Sequence, residues 1–360
     1  MATIQLPLIY DQDLSGLVDL MKDWGESEYR AQQIWHGLYH TLYAHPDQFT
    51  SIPKSLRQRL ATHFSFSALT REKSLTSQDG ETVKTLFRLH DGRAIETVWM
   101  GYHERDTLCI STQAGCAMGC VFCATGQMGF QRNLSSGEIV EQVVYYARKL
   151  LAENKKVTNV VVMGMGEPFH NYDATMDAID RLNHPGGLSL GARRFTISTV
   201  GLVPAIRRFT KEKRQINLAI SLHAADDSLR SSMLPVNKRY PISELIQACR
   251  EYVETTHRRI TFEWALIQDV NDSLEHARQL ARLLHGLLCH VNVIPLNPTH
   301  KYNGKATTRQ RAVAFCKELE SLGIPCSIRL RRGIDIQAGC GQLASEQRTR
   351  PDDTIVQAGG

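Results

Sequence analysis

The chain has 360 residues, with 42 Lys and Arg against 37 Asp and Glu for a formal net charge of +5. Hydrophobic residues make up 42 % and charged residues 22 %, the composition of a folded globular protein with room for one large domain and a smaller one. No apolar run reaches the roughly 18 residues of a helical membrane span, and the N-terminus lacks the basic and apolar regions of a secretory signal.

A cytoplasmic protein is therefore expected. Its nine cysteines should be mostly reduced, and so metal-binding, catalytic or inert. The mild positive charge admits a polyanionic partner without demanding one. Basic clusters at Arg193-Arg194, 211–214, Arg258-Arg259 and 329–332 are either phosphate contacts or merely solvated or structural faces.

Residues 11–64 have helical spacing. In "DQDLSGLVDLMKDWG", Leu14, Leu17, Leu20 and Met21 recur at helical intervals and Gly25 supplies a stop. Ser27 is a natural N-cap for "SEYRAQQIWHGLYHTLY", and Pro53 suits the first turn of "PKSLRQRLATHF". These predict a small helical module over residues 1–64.

Residues 65–101 change to alternation. "TVKTLFRLHDGRAIETVWMGY" predicts a hairpin about Asp91-Gly92, with a type I′ turn. Its second strand points Ala94, Glu96, Val98 and Met100 to one face. On pattern alone, Glu96 is a solvated carboxylate.

From residue 102 to 343, short apolar strands alternate with helices. Strands are predicted at 107–112, 157–164, 195–199, 216–223, 259–267, 290–297 and 326–332, and helices at 136–151, 172–183, 241–256, 273–286 and 308–321. Strict alternation implies an α/β fold with a parallel sheet covered by helices. Six or seven units are too few for an eight-fold barrel, so a partial barrel is favoured. The polar tail, 344–360, should fray.

In such folds chemistry collects at the carboxyl ends of the strands. Here those ends carry the loop "CAMGCVFCATG", "GMGEP" 164–168, Ser198-Thr199, Ser221-Leu222-His223 and Asn297. Singly these are turn formers and caps. Together on one rim they describe a polar pocket for a ligand with amine, carboxylate and ribose groups. Cys116, Cys120 and Cys123 follow a C-x3-C-x2-C spacing with no second pair to complete a zinc site. Three cysteines on a 4Fe-4S cluster leave one iron open to a small molecule.

C-x3-C-x2-C after a first strand, with "GMGEP" after a second, resembles the radical S-adenosylmethionine superfamily. "GCAMGCVFCATGQMGFQRNL", "VVMGMGEPFHN", "SLHAADDSLRSSMLPVNKRYP", "DVNDSLEHA", "HVNVIPLNP" and "GIDIQAGCGQL" resemble the RlmN/Cfr family of adenine methyltransferases across roughly residues 90–343. The resemblance implies a partial (β/α)6 radical-SAM barrel with a helical accessory domain and a β-hairpin extension. It also implies one 4Fe-4S cluster on Cys116, Cys120 and Cys123, and two S-adenosylmethionine molecules per turnover. One methylates Cys340. The other provides the 5′-deoxyadenosyl radical that takes a hydrogen from the S-methyl, so that the carbon adds to an adenine.

By the same resemblance Glu96 accepts the ring proton, which reverses the reading from pattern alone, and Cys109 attacks Cys340 to close a transient disulfide. Gly166, Glu167, Ser198, Ser221, Leu222, His223 and Asn297 contact S-adenosylmethionine, with Glu167 facing the methionine amine. Cys249, Cys289, Cys316 and Cys326 match nothing and stay inert.

The implied substrates are one adenine of 23S rRNA and the adenine next to the anticodon in tRNAs, methylated at carbon 2. An external electron donor of flavodoxin type is implied, and a monomer without a membrane is expected. In "GIDIQAGC", Gln337 and Gly339 depart from the commoner family pattern and Ile334 resembles the carbon-8 side of the family as well, which keeps carbon-8 methylation of 23S rRNA as the alternative. From other classes stand a non-catalytic RNA-binding protein with a structural zinc, and a different radical enzyme that would leave Cys109, Cys340 and Glu96 without work.

Overall fold

A computed structural model describes residues 6–344 apart from 300 and 330. The predicted fraying tail, beyond 344, lies outside the described residues. Three helices open the chain: α1 (Leu14–Asp23), α2 (Glu28–Tyr39) and α3 (Lys54–His63). Asp13 caps α1 through the Gly16 amide and Ser27 caps α2 through the Tyr29 amide, so each helix starts where a side-chain oxygen meets an unpaired N–H. Pro53 stands one position before the predicted first turn, as the cap of α3.

This module shares its core with the barrel. Arg148 crosses the seam, donating from Nη2 to Tyr10 Oη at 2.7 Å and from Nε to Leu42 O at 2.8 Å. Asp11 reaches the other way, its Oδ1 accepting from Gly137 N at 2.8 Å.

The main sheet has ten strands. β1 (Leu69–Thr76), β2 (Thr82–Leu89), β3 (Ala94–Tyr102) and β4 (Arg105–Cys109) run antiparallel. β5 (Gln113–Gly115) and β6 (Phe130–Asn133) form a separate small ribbon. β7 (Asn159–Val162), β8 (Phe195–Thr199), β9 (Asn217–Ser221), β10 (Ile260–Leu266), β11 (Cys289–Pro295) and the short β12 (Cys326–Ile328) continue the large sheet in parallel from β4. The run β4, β7–β11 is the expected six-stranded partial barrel.

Its helices are α4 (Ala124–Gln127), α5 (Ser136–Ala152), α6 (Tyr172–Asn183), α7 (Val203–Glu212), α8 (Asp227–Met233), α9 (Ile242–Thr256), α10 (Leu274–Leu284) and α11 (Arg309–Ser321). Both α5 and α6 fall within a residue of their predicted bounds.

Several expectations are corrected. The hairpin turn is not type I′: only Gly92 has positive φ (81°), and Leu89 N donates to Arg93 O across a three-residue loop. The last strand stops at Ile328 instead of continuing to 332. β1, the β5–β6 ribbon, α7 and α8 were not predicted. Cys316 on α11 and Cys326 on β12, read as inert thiols, are joined as a disulfide. Glu96 is 4 % exposed rather than solvated, because its strand is covered on both faces.

Candidate active site

The three-cysteine loop leaves β5 at Gly115, whose φ is +72° and where a Cβ would lie 1.9 Å from Gly129 O. Only glycine permits that crossing of loop and ribbon. The loop then winds tightly, with Cys116 N donating to Gly129 O and Cys123 N to Cys120 O. All three thiols are pushed up in pKa, chiefly by burial, Cys116 to about 12. Charge on Cys123 and Cys116 raises Cys120 further, which places the three close together.

Buried thiols that oppose one another's ionisation need a cationic group to take them as thiolates. Three thiols fall one short of the four ligands that a structural zinc takes. A cluster offering each sulfur its own iron fits this donor set better than a single zinc.

Beside this loop lies a cavity in the barrel mouth. Cys120 and Cys123 line one part of it, and Cys340 and Gly341 another. The C-terminal loop is held there by backbone: Ala124 N donates to Gly341 O at 2.7 Å and Asn297 Nδ2 to Cys340 O at 3.1 Å. Gly166, Glu167, Ser198, Ser221, His223 and Asn297, six of the seven expected contacts, line the same cavity. Leu222 does not, since its side chain is fully buried in the hydrophobic core while alternation turns its two neighbours inward.

Glu167 is held rigidly. Its carboxylate accepts from Phe169 N at 3.0 Å and Val200 N at 2.9 Å, while its own amide donates to Gln113 Oε1. Burial lifts its pKa to about 7, against the pull of those amides. Gly166 allows the close approach: its φ is +104° and a Cβ would stand 2.6 Å from Gln113 Cβ.

His223 is pushed down to about 3 by burial and then by Arg230. Its Nδ1 accepts from Ala265 N at 2.9 Å, which fixes the neutral ring with its proton on Nε2.

Glu96 meets the C-terminal loop at Ala344, four residues beyond Cys340. Lys84 Nζ on β2 lies 3.1 Å from Glu96 Oε1 and donates to Gln337 O, and Ala344 N donates to Glu96 Oε2 at 2.9 Å. Ser111 Oγ joins Glu96 O to Met165 N, tying β3 to the loop after β7. A cavity of about 420 Å³ opens here, lined by Lys84, Leu86, Glu96, Ile334 and Gln342 among others.

The burial of this carboxylate comes with an ammonium partner. Lys84→Met should lower stability by about 3 kcal/mol in urea unfolding, the cost of removing one partner of a buried pair. It should also slow ring-proton loss in single-turnover assays.

Cys109, at the end of β4, is buried and its thiol is pushed up to about 12, first by burial and then by Cys340. Arg329 works against that rise and raises its own pKa most through Cys340. Lys84, Gln113, Glu263 and Arg329 were missed by sequence reasoning. Arg329 was grouped with a surface basic cluster, yet it lines the cavity. Other basic residues of these clusters have partners within the protein: Arg214 pairs with Asp180 and Glu212, Arg258 bonds Asn217, and Arg332 pairs with Glu81.

The Radical SAM superfamily model matches residues 110–284, and the model for the ribosomal RNA large subunit methyltransferase N-terminal domain matches residues 9–65. A probable dual-specificity RNA methyltransferase RlmN of Chloroflexus aurantiacus is 49 % identical over 97 % of this chain and 95 % of its own. The dual-specificity RNA methyltransferase RlmN 1 of Myxococcus xanthus is 48 % identical over 95 % and 96 %. The crystal structure of a radical SAM methyltransferase from Sphaerobacter thermophilus superposes with a TM-score of 0.92 at 51 % identity, covering 94 % of this chain and 100 % of that one.

Proposed function

The chain belongs to the RlmN family of radical S-adenosylmethionine RNA methyltransferases, and from that membership we propose that it methylates carbon 2 of adenine in 23S rRNA and in tRNA through an S-methylcysteine at Cys340. The enzyme uses a 4Fe-4S cluster and S-adenosylmethionine. Bound by Cys116, Cys120 and Cys123, the cluster supplies one-electron reduction of the sulfonium. The observation that carries the reading is the single cavity bordered by Cys120 and Cys123 at one part and Cys340 at another, with Glu167, Ser198, Ser221, His223 and Asn297 between.

Within it, Cys340 Sγ is the nucleophile that takes a methyl from the sulfonium. Glu167 accepts from the methionine amine and neutral His223 donates from Nε2. Once the methyl carbon is joined to the ring and the radical adduct has given up one electron, Glu96 takes the ring proton. The Cys109 thiolate then attacks Cys340 sulfur, the sulfur–methylene electron pair passes to the carbon, a proton completes the methyl group, and the disulfide is reduced before the next turnover. The cavity beside Glu96 is the seat for an unstacked base, and the helical module grips the folded RNA.

Carbon 2 and both RNA classes are carried over from the resemblance to the RlmN side of the family, and the relatives named dual-specificity RNA methyltransferase RlmN support that side. Digestion of rRNA and tRNA modified by the purified enzyme, followed by mass spectrometry, should yield 2-methyladenosine from both. An 8-methyl product would overturn the regiochemistry, leaving the reaction class intact.

Glu167 gives a pH dependence. Both its oxygens already face backbone N–H groups, so a proton on the carboxyl points at the incoming amine. Affinity for S-adenosylmethionine should rise as pH increases through about 7 and then level off. In Glu167→Gln, which turns an acceptor into a donor opposite an amide, affinity should drop at least about tenfold and lose this dependence in calorimetric titrations.

A further inference from the structure

Glu263 lies in the middle of β10 and lines the barrel cavity at 5 % exposure. Asn292 Nδ2 on β11 donates to its Oε1 at 3.1 Å. Oε2 is buried and has no hydrogen-bond partner among the described residues. A buried carboxylate oxygen without a donor is costly, and native proteins rarely retain one unless something completes it.

Register places Glu263 opposite Ser221 of β9, whose Oγ lies 3.4 Å from Ser198 Oγ of β8. Three adjacent strands thus present two hydroxyls and one carboxylate to the same cavity. Glu167 is the other acidic group of the lining, and backbone amides already face both of its oxygens. Val200, Leu234, Ile294 and Leu296 line it elsewhere and suit the faces of a base.

We propose that Glu263 Oε2 accepts hydrogen bonds from the ribose hydroxyls of S-adenosylmethionine, positioning its 5′ carbon. This rests on the reading that the cavity takes that cosubstrate. Vicinal hydroxyls are the donors a buried carboxylate commonly takes from a nucleoside. The neighbouring serines, each both donor and acceptor, can share the remaining lone pairs.

Because Asn292 donates to Oε1, the isosteric Glu263→Gln keeps its oxygen there and turns an amide NH2 toward the cavity. The test is calorimetric titration of the cluster-loaded enzyme with 5′-deoxyadenosine, its 2′-deoxy and 3′-deoxy analogues, and the analogue lacking the 6-amino group. E263Q should weaken 5′-deoxyadenosine about tenfold. Removing the contacted hydroxyl should weaken wild type similarly and weaken E263Q no further.

Losses that multiply overturn the proposal, as do losses that track the 6-amino group instead. His223→Ala serves as the control for the underlying reading. If E263Q binds S-adenosylmethionine like wild type while H223A does not, the inference fails alone. If both bind it like wild type, the assignment of the cavity fails. A melting curve of E263Q like that of wild type shows that the fold is retained.

Discussion

Cys340→Ala should bring RNA methylation below detection, a loss of at least roughly 10⁴-fold, with the RNA still bound. A sulfonium methyl cannot be handed directly to the electron-poor carbon of an adenine, so a thiolate must carry it. Cys340 is the exposed free cysteine of the site, on a loop pinned to the cysteine-rich turn through Ala124 and to Asn297 through its own carbonyl. Gly339 helps to hold the loop so close, since a Cβ there would stand 2.6 Å from Asn297 Nδ2. Peptide mass spectrometry of the wild type made in cells should find a methyl on Cys340. Methylated RNA from the alanine variant would refute the carrier role.

Most of the barrel was legible because its signals are local. Alternating apolar strands and amphipathic helices set the order, and caps such as Ser27, Ser135 and Thr308 fix helix starts to within a residue. The rim was legible for a related reason: polar groups at the ends of successive strands must face a common opening. Leu222 marks the limit. Sitting between two lining residues, it belongs to the other side of the strand, which a two-residue period foretells and a contiguous sequence match does not.

What stayed hidden depends on distant pairing. Lys84 and Glu96 meet because β2 and β3 pair in one particular register, with Leu86 opposite Glu96. A three-residue loop sets that register, and the expected two-residue turn would have set another. Arg329 was invisible for a different reason. In "RLRR" it looks like its exposed neighbour Arg331, and only the end of β12 at Ile328 turns its side chain into the cavity. The disulfide between Cys316 and Cys326 needs α11 laid against β12, a contact that no spacing rule encodes.

Cys109→Ala should leave the enzyme covalently joined to its RNA. A thiol pushed up to about 12 is almost wholly protonated near neutral pH, an unpromising state for a nucleophile. Its second-largest cause is charge on Cys340, and that charge vanishes once the Cys340 sulfur is bonded to carbon. Burial still raises the thiol, but Arg329 then acts on Cys109 without the Cys340 charge against it, so the thiolate is easier to form once its target exists. Early attack on a free Cys340 is thereby disfavoured. With alanine at 109 the methylene bridge has no thiolate to cut it, and turnover should fall at least about 10³-fold while an RNA–protein band accumulates on denaturing gels. In wild type the release step should speed up as pH rises from 7 to 9, because the thiolate fraction grows toward the raised pKa. An alanine variant that turns over normally, with no trapped species, would mean that another group breaks the bridge.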